Sequence, residues 1–161
     1  MKQEDWGKIR HFIPGEIPYW EKADVNALYL LDRMRHIEGL RFANNLIFIV
    51  NCIYDPEAGH TPTSYHYREP ACAIDFSMRY RDTKRPLPIL HQYLIALNWP
   101  WTGIGFYPYW ECPGLHCEYV SVLPWYKRRK RWWRDGLLKY RAPEEYFERE
   151  GIHLLQRIYP S

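Results

Sequence analysis

Thr61-Pro62-Thr63-Ser64-Tyr65-His66-Tyr67-Arg68-Glu69-Pro70-Ala71-Cys72-Ala73-Ile74-Asp75 is the stretch around which the chain is organised, and Gly114-Leu115-His116-Cys117-Glu118 answers it downstream. The end of the first stretch, residues 71–76, alternates small and apolar side chains and reads as a strand. Residues 115–123 read as another. Side chains two apart on a strand share a face, so both segments can present polar groups from one side of a sheet. His66, Asp75 and His116 are the candidate metal ligands. Two imidazoles and a carboxylate are a common catalytic zinc set, because three protein ligands leave a fourth position open.

Outward from these segments the elements alternate. Residues 1–20 read as an irregular arm, broken by Pro14-Gly15 and Pro18. Asp24 is placed to cap a helix by accepting a backbone N–H of the first turn. Val25, Leu28, Leu31 and Met34 then recur at spacing three, with Asp32, Arg33 and Arg35 left for solvent and Gly39 as the stop. Residues 46–53 are apolar and β-branched, a buried strand. Asp, Pro, Gly and His crowd residues 55–62, a loop. Residues 79–85 are charged and read as exposed. Residues 88–98 form a second helix, with Leu90, Leu94 and Leu97 on one face. Residues 101–109 are aromatic and glycine-punctuated, a further strand, and Pro113-Gly114 marks the turn after it. A C-terminal helix is expected within 143–157. The resulting fold class is α+β, a small, mainly antiparallel sheet flanked by helices.

At 161 residues the chain is read as one domain, 1–161, with the arm at 1–20, a core at 21–125, and a basic-aromatic segment with its helix at 126–161. Hydrophobic and charged contents of 47% and 25% are those of a globular protein, whereas 17% aromatic residues point to a heavy core or a ring-lined groove. The net charge of +3 permits an anionic polymer as partner without requiring one. No secretory signal and no membrane-spanning stretch is read, so synthesis in the cytoplasm, free thiols at Cys52, Cys72, Cys112 and Cys117, and a monomer are expected.

The order of the motifs resembles the zinc D-Ala-D-Ala carboxypeptidase family. That family includes peptidoglycan-cleaving endolysins and vancomycin-resistance dipeptidases, and shares its fold with hedgehog signalling domains. The likeness is greatest to short phage and prophage members, whose pattern runs helix, strand, S-x-H-x-x-G-x-A-x-D, helix, G-x-G-x-Y-P, H-x-D. The matching residues are the helix near Asp24, the strand at 46–53, Ser64-x-His66 with Ala73-x-Asp75, the helix near Leu94, Gly103-Ile104-Gly105-Phe106-Tyr107-Pro108, and His116-x-Glu118. The resemblance covers roughly residues 20–135 and implies a hedgehog-like peptidase fold, a zinc cofactor on His66, Asp75 and His116, and Ser64 in support. It also implies hydrolysis of peptide bonds in bacterial cell-wall peptides, reached after release from the cell. Three features depart from the pattern. The step from His66 to Asp75 is nine residues instead of seven, with Glu69-Pro70 extra. Asn51-Cys52-Ile53-Tyr54 replaces Ser-Gly-Tyr-Arg, and with it the substrate-gripping Arg. Pro113 stands where an acidic general base is usual.

Two carboxylates can stand in as the base. Glu118 shares a strand face with His116 and serves either as proton acceptor or as the group that orients an imidazole, and Glu111 on the preceding turn competes with it. The alternative to an enzyme is a non-catalytic phage structural or binding protein that keeps the fold. A zinc finger from His60 and the cysteines is disfavoured, because Cys112 and Cys117 lack the two-residue spacing. Tyr107, Tyr109 and Trp110 are core residues or groove-lining ones. Lys127-Arg128-Arg129-Lys130-Arg131-Trp132-Trp133-Arg134 is the strongest charge run and reads as a solvated face. Acidic residues return at Glu144, Glu145, Glu148 and Glu150, so a nucleic-acid partner is not expected.

Overall fold

The computed structural model describes residues 3–55, 64–120, 130–137 and 139–150. Three helices, α1 (Val25–Arg41), α2 (Ile89–Leu97) and α3 (Pro143–Arg149), accompany six strands. The strands are β1 (Leu46–Cys52), β2 (Ala73–Tyr80), β3 (Gly103–Tyr107), β4 (Gly114–Glu118), β5 (Lys130–Arg134) and β6 (Tyr140–Arg141). They form one sheet in the order β1-β2-β4-β3-β5-β6. Every pairing is antiparallel except β3 with β5, so the α+β class holds with one parallel seam.

The sheet has an apolar face and a polar one. Phe48, Ile74, Phe76, Met78, Ile104, Phe106, Leu115, Cys117 and Trp133 join one buried cluster with Leu28, Leu31 and Met34 of α1 and Tyr93 and Ala96 of α2. Each buried Leu or Met of this kind contributes about 1.5–3 kcal/mol through area removed from water. The opposite face carries Asp75 on β2, His116 and Glu118 on β4, and Gly103 and Gly105 on β3, all in mutual register.

Asp24 caps α1 as expected, accepting the Asn26 and Ala27 amide hydrogens. Other expectations need correction. Asp32 is buried, because its carboxylate accepts the backbone N–H groups of Arg10 and His11. The N-terminal segment is therefore docked by short 3-10 turns, with Ile9, Phe12 and Ile17 in the core. Replacing Asp32 with Ala should cost about 1–3 kcal/mol, since it strips the acceptor from these amides. Urea denaturation measures this, and an unchanged midpoint would contradict the docking.

Gly39 does not end α1, which continues to Arg41; Ala43 and Asn44, both at positive φ, turn the chain after it. The buried side of α2 is Gln92, Tyr93 and Ala96 and not a Leu90–Leu94–Leu97 row. Gln92 earns that position by bonding Met78 N, Leu87 O and Pro113 O. β2 extends to Tyr80, so Arg79 lies in the sheet and only residues 81–86 are exposed. Five of the eight residues of the charge run form strand β5, whose period of two puts Trp133 in the core and Trp132 on the polar face. Residues 127–129, 121–123, 56–63 with His60, and 151–157 lie outside the described residues, as does the 125/126 boundary.

Candidate metal centre

His66, Asp75 and His116 meet over the polar face. Asp75 on β2 is directly opposite His116 on β4, so strand register alone brings these two together. His66 comes from the turns at residues 64–70, which take up the nine-residue step before β2 and include a cis Glu69–Pro70 peptide. His66 Nε2 lies 3.0 Å from Asp75 Oδ1 and 3.0 Å from His116 Nδ1, and His116 Nδ1 lies 2.7 Å from Asp75 Oδ1. All three residues are at least nine-tenths buried.

The outer nitrogens define the chemistry of the inner ones. His66 Nδ1–H donates to the Ile53 carbonyl at 2.7 Å, and His116 Nε2–H donates to Glu118 Oε1 at 3.3 Å. These acceptors assign the tautomers, and each ring then turns a lone pair inward toward the carboxylate oxygen. Three electron-rich atoms at 2.7–3.0 Å repel one another unless a cation sits among them. Zinc bonds of about 2.0–2.1 Å place tetrahedral ligands roughly 3.3 Å apart, so the triangle fits that ion after opening by a few tenths of an ångström.

Protons can also supply the positive charge. Burial pulls both histidines down, but Asp75 outweighs it through its hydrogen bonds and charge. His66, with help from Cys52, and His116, with help from Glu118, are both raised to about 9. Burial pushes Asp75 up, yet the charge of His116 and the two imidazole hydrogen bonds hold it well below the usual carboxylate range.

Cys52 completes the neighbourhood. A bulge at Asn51 shifts the β1 register, so Cys52 pairs with Asp75 instead of following Leu46, Phe48 and Val50 into the core. Donor atoms of Cys52, His66 and Asp75 lie within 4.8 Å of one another, close enough to hold a metal ion. Sequence alternation alone assigns Cys52 to the wrong face, which is why this residue escapes a reading from sequence.

The β3 glycines make room for the surroundings. A Cβ on Gly103 would collide with the Glu118 carboxylate, and one on Gly105 with the indole of Trp132. Trp132 therefore lies across β3, 5.5 Å from the His116 ring between centroids, with Nε1–H donating to the Tyr107 hydroxyl at 3.1 Å. Tyr107 in turn stacks on Trp110 at 4.1 Å. Tyr107 is buried, Trp110 half-buried and Tyr109 exposed.

Glu111 is exposed on the β3–β4 turn, and no hydrogen bond among the described residues joins it to the triangle. Cys112 contacts Ser77 Oγ and Arg79, whereas Cys117 is buried in the core, so the sheet separates the two. The four cysteines are unpaired. Glu145 pairs with Arg141, which also holds Asp135, and Arg149 stacks over Tyr109 and Trp133. Among the described residues no helix is long and apolar enough to cross a membrane. No family model, curated protein or solved structure matches the chain.

Proposed function

We propose that this chain is a zinc-dependent metallopeptidase that hydrolyses peptide bonds in bacterial cell-wall peptides, of the phage or prophage endolysin type. The observation that carries the reading is the buried His66–Asp75–His116 triangle, whose outer nitrogens are both fixed by acceptors. The motif order and its resemblance to the D-Ala-D-Ala carboxypeptidase family supply the substrate class. A bound zinc ion polarises a carbonyl and brings the acidity of water close to neutrality.

The chain's own groups do the rest. Asp75 supplies the negative charge at the centre of the triangle. Ile53 and Glu118 hold the rings in the tautomers that turn Nε2 of His66 and Nδ1 of His116 inward. Trp132 and Tyr107 wall the side beyond His116 and keep water from it. The non-catalytic reading draws on one observation: Glu118 meets His116 on the ring nitrogen that faces away from the triangle, which is the position of an orienting group.

Two variants separate these roles. Glu118→Ala should weaken zinc binding by about 10–100-fold, because the His116 ring loses its outer acceptor. Glu118→Gln keeps an acceptor oxygen and should retain most of the affinity. A further loss of about 10²-fold in turnover by Glu118→Gln at full zinc loading marks Glu118 as the proton acceptor, and the same loss in Glu111→Gln marks Glu111 instead. Metal analysis followed by digestion of purified cell walls tests the function itself. Zinc-loaded protein that cleaves no wall peptide supports the non-catalytic reading.

A further inference from the structure

A catalytic zinc site leaves one coordination position open, and a structural one fills all four with protein atoms. The inner triangle supplies three donors. The fourth candidate is on the neighbouring strand. The bulge at Asn51 turns Cys52 onto the polar face directly opposite Asp75. Its Sγ lies 3.8 Å from His66 Nδ1, and its group with His66 and Asp75 closes within 4.8 Å. Zinc–sulfur bonds of about 2.3 Å put sulfur roughly 3.6 Å from the oxygen and nitrogen ligands of the same ion. The 3.8 Å contact is to the outer nitrogen of His66, so Sγ must swing toward Nε2 to share the ion, and Cys52 is half-buried at the end of a strand, where such a swing disturbs little core.

We infer that Cys52 is the fourth protein ligand of the ion held by His66, Asp75 and His116, closing the metal-loaded site at rest. This rests on the metal-centre reading above and adds a regulatory consequence to it. A substrate carbonyl or a water molecule reaches the ion only when the thiolate swings away. The bulge is then a gate hinge, and any reagent that occupies the Cys52 sulfur holds the site open. The soft sulfur also selects zinc-like ions over magnesium or calcium, whose preferred ligands are oxygens.

Cobalt(II) reads the ligands directly and needs no turnover. The metal-stripped full chain, kept reduced, is titrated with cobalt(II) and followed by absorption. Wild type should show the ligand-field bands of a four-coordinate ion together with a near-ultraviolet sulfur-to-metal charge-transfer band. Cys52→Ser should keep the ligand-field bands and lose the charge-transfer band. Cys72→Ser and Cys112→Ser should keep both. Ligand-field bands without charge transfer in wild type would overturn the Cys52 assignment and leave the triangle standing. Charge transfer that persists in Cys52→Ser would overturn it too. If cobalt produces no bands at all, the metal-centre reading fails, and the Cys52 assignment with it. Should Cys52→Ser not fold, alkylation of wild type resolved by mass spectrometry decides: cobalt loading should protect Cys52 from iodoacetamide, and unprotected Cys52 overturns the inference.

Discussion

Asp75→Ala is expected to lower zinc affinity by more than about 10²-fold, beyond the loss typical of an outer-sphere partner. It should also change how the metal-free protein responds to pH. In the folded metal-free chain His66 and His116 are raised to about 9 from an ordinary value of 6.5. Their contribution to stability is therefore complete below about pH 6.5 and lost as the pH rises through 9. Asp75 is shifted down from 3.8, so its contribution is present above that value and lost as the pH falls through its folded value. The metal-free Tm should be highest between about pH 4 and 6.5 and fall toward pH 9. Zinc acts in the opposite sense: it competes with those protons, so its affinity, and the Tm increment it gives, should grow over the same interval. Asp75→Ala removes the charge that raises both histidines, and the alkaline fall in Tm should vanish with it. Calorimetric scans at a series of pH values, with and without zinc, measure all three effects. A metal-free wild-type Tm that is flat from pH 6.5 to 9 would contradict the proton-filled triangle.

The largest effect on stability is expected at Phe106. Its fully buried ring has centroids of Tyr93 at 4.8 Å, Tyr146 at 5.0 Å, Phe147 at 6.2 Å and Trp133 at 6.4 Å around it. It thus joins α2, β5 and α3 to the strand that carries Gly103 and Gly105. Phe106→Ala should cost about 3–5 kcal/mol, from the lost transfer free energy and the cavity left behind. For a domain of ordinary stability this is a large share of the total. Leu137→Ala, at a side chain 76% exposed, should stay within about 0.5 kcal/mol. Urea unfolding of both variants gives the comparison. Equal midpoints would mean that the aromatic cluster does not tie the C-terminal elements to the sheet.

His66, Asp75 and His116 were picked out through the order of the motifs and the resemblance it carries, and only the strands around Asp75 and His116 were legible as local features. β1, α1 with its Asp24 cap, α2 and the connection before β4 were legible for the same reason, although Gly114 itself opens the strand: periodicity and capping act over a few residues. β5 was not, since three cations in five residues mask the alternation that places Trp133 inside and Trp132 outside. Asp32 also misled the reading from sequence. A carboxylate on a helix reads as solvent-facing until a distant backbone segment supplies two N–H donors for it.

The sequence by itself therefore determined the α+β class, most helix and strand positions, and a short set of residues fit for a metal. Only the tertiary structure decided their geometry. Cross-strand register set Asp75 against His116, and turns over the sheet brought His66 to within 3.0 Å of both. A single-residue bulge turned Cys52 from core to site, and that cannot be seen in alternation, because one inserted residue inverts every face assignment after it. The positions of Glu118 and Glu111 separated for the same reason. Both are near His116 in sequence, but only the strand residue has its side chain held against the imidazole, while the turn residue points to solvent. Distances among side chains from four separate segments are products of packing, and no local pattern encodes them.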